Sequence, residues 1–195
     1  MRAWNTAPLA AAAAAAAATA LAPSAQAVQA VQTTHGCADA NRSAASAPIG
    51  ELRGAVVCLV NHERGIRHLP ALHADHRLDR SAQRWSDAMV SGHVFTHGTN
   101  FAGRISAAGF RWAAAGENIA TGYLTPRQVV AGWMASAGHC QNILDPTYRD
   151  VGTGVNRHPV AGYASRPGTW TQDFGLTVGT RAPSRNWGPA HGCPD

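Results

Sequence analysis

The chain has 195 residues, a length that suits one domain with extensions. Its formal charge is +5, and all sixteen basic residues are arginines, scattered without a basic stripe interleaved with aromatics, which excludes nucleic acid as a partner. Past the N-terminal leader no segment is apolar enough to span a membrane, which excludes a transmembrane segment from the mature chain.

The leader carries one early charge, Arg2, then an alanine run from Ala10 to Ala18 and Leu21. Ala25-Gln26-Ala27 is a small-x-small cleavage site, with Val28-Gln29-Ala30 as a second. The stretch is rich in alanine and poor in Leu, Ile and Phe, so it would make a poor lipid-spanning helix. Residues 1–27 therefore read as a signal peptide, and the expected location is secreted, extracellular or periplasmic. Residues 28–50 are small and polar and are expected to form a flexible lead-in pinned by Cys37.

A domain is expected over 51–178, with a C-terminal tail over 179–195. Leu52, Val56, Leu59, Val60 and Glu63 recur at helical spacing, predicting a helix over 52–66 that ends at Gly65 and Pro70. Residues 76–91 predict a second helix with Leu78, Ala82, Trp85 and Met89 on one face and Gly92 at its stop. A short helix from Phe101 to Ala108 follows Asn100 and ends at Gly109. Thr125, Pro126 and Gln128 form a capping box ahead of Val129, Val130, Trp133 and Met134. After Pro146 the pattern becomes β-rich, with strands expected at Val151–Val155, Val160–Ala164 and Thr169–Leu176. Helices first and strands later make an α+β domain.

Four cysteines in an exported chain suggest two disulfides, with three pairings open. The simplest is Cys37–Cys58 and Cys140–Cys193, each tying an extension to the core; free buried thiols are the alternative. No C-x-x-C spacing favours a metal–thiolate site.

The candidate functional residues lie in the middle of the chain. They are His97 in Phe95-Thr96-His97, Glu117 in Gly116-Glu117-Asn118-Ile119, and His139 followed by Asn142. Neutral imidazoles with a carboxylate form a donor set for zinc or another divalent metal. Each also has a plain structural reading. His97 suits a core histidine bonded to backbone. Glu117 suits a carboxylate accepting N–H groups in a Gly-Glu-Asn turn. His139 suits a cap on a helix ending near Gly138. His93 and His97 are four apart, but Val94 stands where a zinc-protease helix needs its general-base Glu, so His93 reads as an exposed or capping residue. Ser136, His139 and Glu117 could pair as nucleophile, base and orienter, yet no G-x-S-x-G elbow surrounds Ser136. Glu117 is the one carboxylate that stands out, and Asp145, Asp150 and Asp173 read as loop and strand-end residues.

These residues, with Asn61-His62-Glu63-Arg64 upstream and Thr169-Trp170-Thr171-Gln172-Asp173-Phe174 downstream, resemble a bacterial member of the CAP superfamily. That is the group of cysteine-rich secretory, antigen-5 and pathogenesis-related proteins, and the resemblance covers about residues 52–178. It implies a three-layer α-β-α sandwich with a central antiparallel sheet. It also implies a cleft of two histidines and two acids, in which His97 and His139 match the histidines and Glu117 the first acid. Ser136 stands at the second acid, so His97, His139, Glu117 and water are the most the site offers a metal. The function implied is a binding or interaction module of the cell envelope or extracellular space, with an envelope lipid or an extracellular protein as partner. The alternative is a metal-assisted, protease-like hydrolase built on His97, Glu117 and His139. The missing acid favours binding over catalysis.

Overall fold

The computed structural model describes residues 36–181 and 192–194; the expected signal peptide over 1–27 lies outside the described residues. Among the described residues five helices and four strands follow in the order α1 Ile49–Gly65, β1 His73–Ala74, α2 His76–Ser91, α3 Phe101–Ala107, β2 Trp112–Thr121, α4 Pro126–Met134, α5 Ala137–Leu144, β3 Asp150–Asn156 and β4 Thr169–Thr177. One sheet has the strand order β1-β3-β4-β2. Its long pairings, β2 with β4 and β3 with β4, are antiparallel, and the two-residue β1 adds a parallel pair to β3. Helices α2 and α3 cover one face; α1, α4 and α5 cover the other. The domain is an α+β, three-layer α-β-α sandwich.

Residue size decides how the layers meet. In β3, Val151 and Val155 face the α1 layer and are fully buried there with Leu52, Val56, Trp170 and Phe174. The alternate positions are Gly152 and Gly154. A Cβ on Gly152 would stand 2.2 Å from the backbone of Leu78 and Asp79, and one on Gly154 2.2 Å from that of Ala82. The two glycines therefore let α2 lie directly on the strand. Asp79 then accepts the Thr153 N–H at 2.8 Å. Gln83 both accepts the Val155 N–H and donates to its carbonyl.

Arg64, in the last turn of α1, is fully buried and ties the loop after α1 to the C-terminal end of α5. It donates to the carbonyls of Pro70, Ile143 and Asp145 at 2.8–2.9 Å. Burial, with Arg149 nearby, pulls its guanidinium down to about 10. Asn61 fixes the following loop through reciprocal bonds with the Leu72 backbone. The Asn61-His62-Glu63-Arg64 motif thus carries architecture through its first and last members.

Cys37 is bonded to Cys58 and Cys140 to Cys193. Residues 36–47, expected as part of a flexible lead-in, pack instead against the core. Ala40, Ala44 and Ala47 are buried, and their segment bonds the backbone around α4. Small side chains here serve close packing, which composition alone reads as flexibility. The strand expected at Val160–Ala164 is a turn, closed by bonds from Tyr163 and Ala164 to the Val160 carbonyl. Pro159 and the left-handed Gly162 (φ 85°) suit that turn.

Helix α2 ends in a Schellman motif. The His93 N–H donates to Val90 and the Val94 N–H to Met89, with Gly92 as the C-cap. The left-handed residue of that motif is His93 (φ 53°), exposed and one position past the glycine. A side chain in this conformation carries strain that glycine lacks. His93→Gly is expected to stabilise the domain by about 1 kcal/mol, raising Tm by about 2–4 °C. A thermal melt showing an unchanged or lower Tm would contradict the assignment.

Candidate functional site

The site forms on the outer edge of β2. Alternation along this strand sends Ala115 and Ile119 to the α2–α3 layer and Ala114 and Ala120 to the opposite layer. Glu117 therefore faces α2 and α3, and Asn118 faces α5. Gly116, just before Glu117, leaves room for the Tyr148 hydroxyl, which a Cβ would meet at 2.4 Å. Burial raises that phenol to about 12.

Glu117 lies mid-strand rather than in the expected turn, and its carboxylate accepts from side chains rather than from loop N–H groups. His97 Nδ1 lies 2.8 Å from Oε1, and Arg104 donates to Oε2. The carboxylate is almost completely buried, at 1% exposure, while His97 is half exposed. Arg104 also donates to the His97 carbonyl at 3.0 Å. Its guanidinium lies 3.7 Å above the Trp85 ring, whose indole N–H donates to the Thr96 carbonyl. Arg104 and Trp85 thus clamp the loop that presents His97. Bonding to the Arg104-paired carboxylate places the His97 proton on Nδ1 and leaves Nε2 without a partner among the described residues.

His139 approaches from the other side of the strand edge. The plain structural reading made it a cap on a helix ending near Gly138. Instead α4 stops at Met134, Ser136 is the N-cap of a new helix, α5, and His139 sits in its first turn. Burial, and secondarily the neighbouring His97, lowers its pKa, so the ring is neutral at physiological pH. Asn142, one turn further on, ties α5 to the strand. Its amide donates to the Glu117 carbonyl at 3.1 Å and to Asn118 at 2.9 Å, capping backbone that an edge strand leaves open. Ser136 and His139 line a cavity of about 410 Å³ with Phe95, Tyr123, Trp133 and Tyr163.

Two residues of the site were not legible as such in the sequence. Arg104 is one. Asp173 is the other: it stands directly across from Glu117 in the β2–β4 register, mid-strand and 1% exposed. Among the described residues neither of its oxygens makes a hydrogen bond of good geometry, and the Ser81 hydroxyl and Glu117 carboxylate are its polar neighbours. Burial, reinforced by the Glu117 charge, pushes this carboxyl well above the usual range. A signal did exist, since alternation through Thr169-Trp170-Thr171-Gln172-Asp173-Phe174 places Asp173 on one face with Thr171.

The donor set does not fit a zinc-class ion. Among the described residues no group of three or more His, Cys, Asp or Glu side chains could hold a metal. Both oxygens of Glu117 are engaged, and Ser136 supplies a neutral hydroxyl. Two imidazoles remain, whereas zinc sites use three or four protein ligands.

The profile described as "CAP: Cysteine-rich secretory protein family" matches residues 57–174. A protein of Bacillus subtilis (strain 168), described as "Uncharacterized protein YkwD", is 34% identical over 143 residues, 70% of this chain. The chain spans about half the length of that relative, whose covered share is 52%. Among solved structures, an extracellular SCP-domain protein of Bacillus anthracis aligns with TM-score 0.56 and 23% identity over 68% of this chain and 45% of its own. An outer surface protein of Borrelia burgdorferi aligns with TM-score 0.55 and 18% identity, over 63% of this chain and 90% of its own. These structural likenesses concern the fold.

Proposed function

This chain belongs to the CAP family of cysteine-rich secretory proteins, and from that premise we propose that it is an exported binding module whose ligand contacts the cleft walled by His97 and His139. The observation that carries this reading is the state of Glu117. Its two oxygens are engaged by His97 and Arg104, so it positions an imidazole and is not free to act as a base. What the cleft offers a ligand is two imidazoles and the neighbouring hydroxyls, groups suited to hydrogen bonding. The metal-assisted hydrolase reading needs a third ligand and a free carboxylate, which this donor set lacks.

Export has its own support. Two disulfides fit an oxidising compartment. Among the described residues no helix is long and apolar enough to cross a membrane. Proteins of the same fold carry the descriptions "extracellular" and "outer surface".

The test is titration of the mature protein with fractionated envelope material, read on the side-chain NMR signals of His97 and His139. One fraction is expected to move both, with affinity about tenfold lower in His97→Ala and in His139→Ala, the worth of one hydrogen bond each. The ligand should be recovered unchanged. Recovery of a cleaved product, formed by the wild type and not by Glu117→Gln, would overturn binding in favour of hydrolysis.

A further inference from the structure

On the His139 side of the cleft lies the cavity of about 410 Å³, a size within the range of small-molecule sites. Its composition is specific. Phe95, Tyr123, Trp133 and Tyr163 contribute four aromatic rings, and among the described residues no Asp, Glu, Lys or Arg lines it. Phe95 and Tyr163 stand 5.8 Å apart at a tilt of 50°, and Tyr163 is 60% exposed at the mouth. The polar groups are of one kind. Ser136 Oγ, the Tyr123 and Tyr163 hydroxyls and the His139 ring are groups that both donate and accept. Ser136 makes no capping bond although it is the N-cap of α5. None of these four has a side-chain hydrogen bond among the described residues.

The geometry points to an uncharged saccharide as the occupant of this cavity. Resting on the cleft reading above, this assignment names the ligand class of the cleft's His139 side, where Ser136 and His139 line the cavity. A sugar ring has an apolar C–H face that packs on aromatic rings and a rim of hydroxyls that donate and accept, which the unpartnered groups match. A charged ligand would enter without a counter-charge, at a desolvation cost. An acyl chain would leave all four polar groups unpaired. An extended peptide adding to the β2 edge would meet carbonyls already taken, those of Glu117 by Asn142 and of Ile119 by the Trp133 indole.

The experiment titrates the mature, oxidised protein with neutral oligosaccharides of two to four residues, hexose and N-acetylhexosamine series in parallel, by calorimetry and NMR. Binding is expected in at least one series, with affinity similar at low and high salt. Tyr163→Ala, at an exposed position, should lower it about tenfold or more, and Tyr163→Phe less, since the ring remains. Ser136→Ala should also weaken it. Absence of binding in both series, binding indifferent to Tyr163→Ala, or steep salt dependence with preference for acidic sugars would each overturn the proposal. So would displacement of the sugar by a fatty acid or an extended peptide with higher affinity. If sugars fail while an envelope fraction still moves the His97 and His139 signals, the saccharide assignment falls and the binding cleft stands. If nothing moves those signals, both fall.

Discussion

Gly154→Ala is expected to destabilise the domain by more than about 3 kcal/mol, placing it among the severe core substitutions. The added methyl would stand 2.2–2.3 Å from the carbonyl group of Ala82 and the N–H nitrogen of Gln83, which are backbone atoms of α2. A clash with a flexible side-chain tip would relax by rotation. A clash with helix backbone relaxes only if α2 lifts from β3, and α2 is the element that carries Leu78, Ala82 and Met89 into their layer, all fully buried. Lifting would also stretch the bonds from Asp79 and Gln83 to the β3 backbone. Gly152→Ala should behave alike, its methyl meeting Leu78 and Asp79 at 2.2 Å. Gly54→Ala supplies the contrast. Gly54 lies within α1 with nothing within 4 Å of its would-be Cβ, so alanine should stabilise by about 1 kcal/mol through helix propensity. Denaturant unfolding of the three variants gives opposite signs if glycine is required by the α2–β3 contact. Similar small effects in all three would show that α2 is free to move away.

The legible parts of this fold were those where one element answers to one local rule. Thr125-Pro126-x-Gln128 starts a helix in any context, and α4 begins there: Thr125 accepts the Gln128 N–H, and Gln128 accepts the Leu124 N–H. Helices α1 and α2 show apolar residues at helical spacing because each buries a single face. Strand β2 hid because its first half is Ala-Ala-Ala-Gly and its later residues are buried on both sides, so polarity does not alternate. Gly116-Glu117-Asn118 then resembled a turn. Helix α5 hid because Ser136-Ala137-Gly138 resembles a helix end, and two short helices meeting at Ser136 fit the same composition. In the candidate site the family resemblance pointed to His97, Glu117 and His139, and the first two are bonded. The partners of Glu117 were not legible. Arg104 reaches it because α3 packs against β2, and Asp173 because the β2–β4 register sets 117 opposite 173. Those are tertiary facts, carried by no local spacing.

Asp173→Asn is expected to stabilise the protein at neutral pH, and the gain should vanish in acid. Asp173 is buried beneath α2 with Ser81 as a neighbour from that helix, Glu117 across the sheet and Arg104 on α3. Burial and the Glu117 charge both disfavour its anion and outweigh Ser81 and Arg104, which favour it, so the folded state holds the proton to higher pH than the unfolded chain does. In the unfolded chain the same carboxyl ionises near its ordinary value of 3.8. Below that value both states are protonated and Asp173 contributes its full stability. As pH rises toward the raised folded value, the unfolded state loses its proton while the folded state keeps it, so stability falls through this window. Each unit by which the folded value exceeds the unfolded one removes about 1.4 kcal/mol. Asparagine has the same shape, is neutral at every pH, and can donate an N–H toward the Glu117 carboxylate, so its fold does not suffer this loss. Asp79 and Asp150 are raised by burial and Asp75 is lowered by Arg77, but all three are common to both proteins and cancel in the difference. Urea unfolding of wild type and Asp173→Asn across the acid-to-neutral range should therefore show curves that meet below about pH 4 and separate above it, with the variant more stable. A variant less stable by the same amount at every pH would mean that Asp173 is a bonded acceptor in the core. It would then support β4 as an anion, and Glu117 would no longer be the one charged carboxylate behind the cleft.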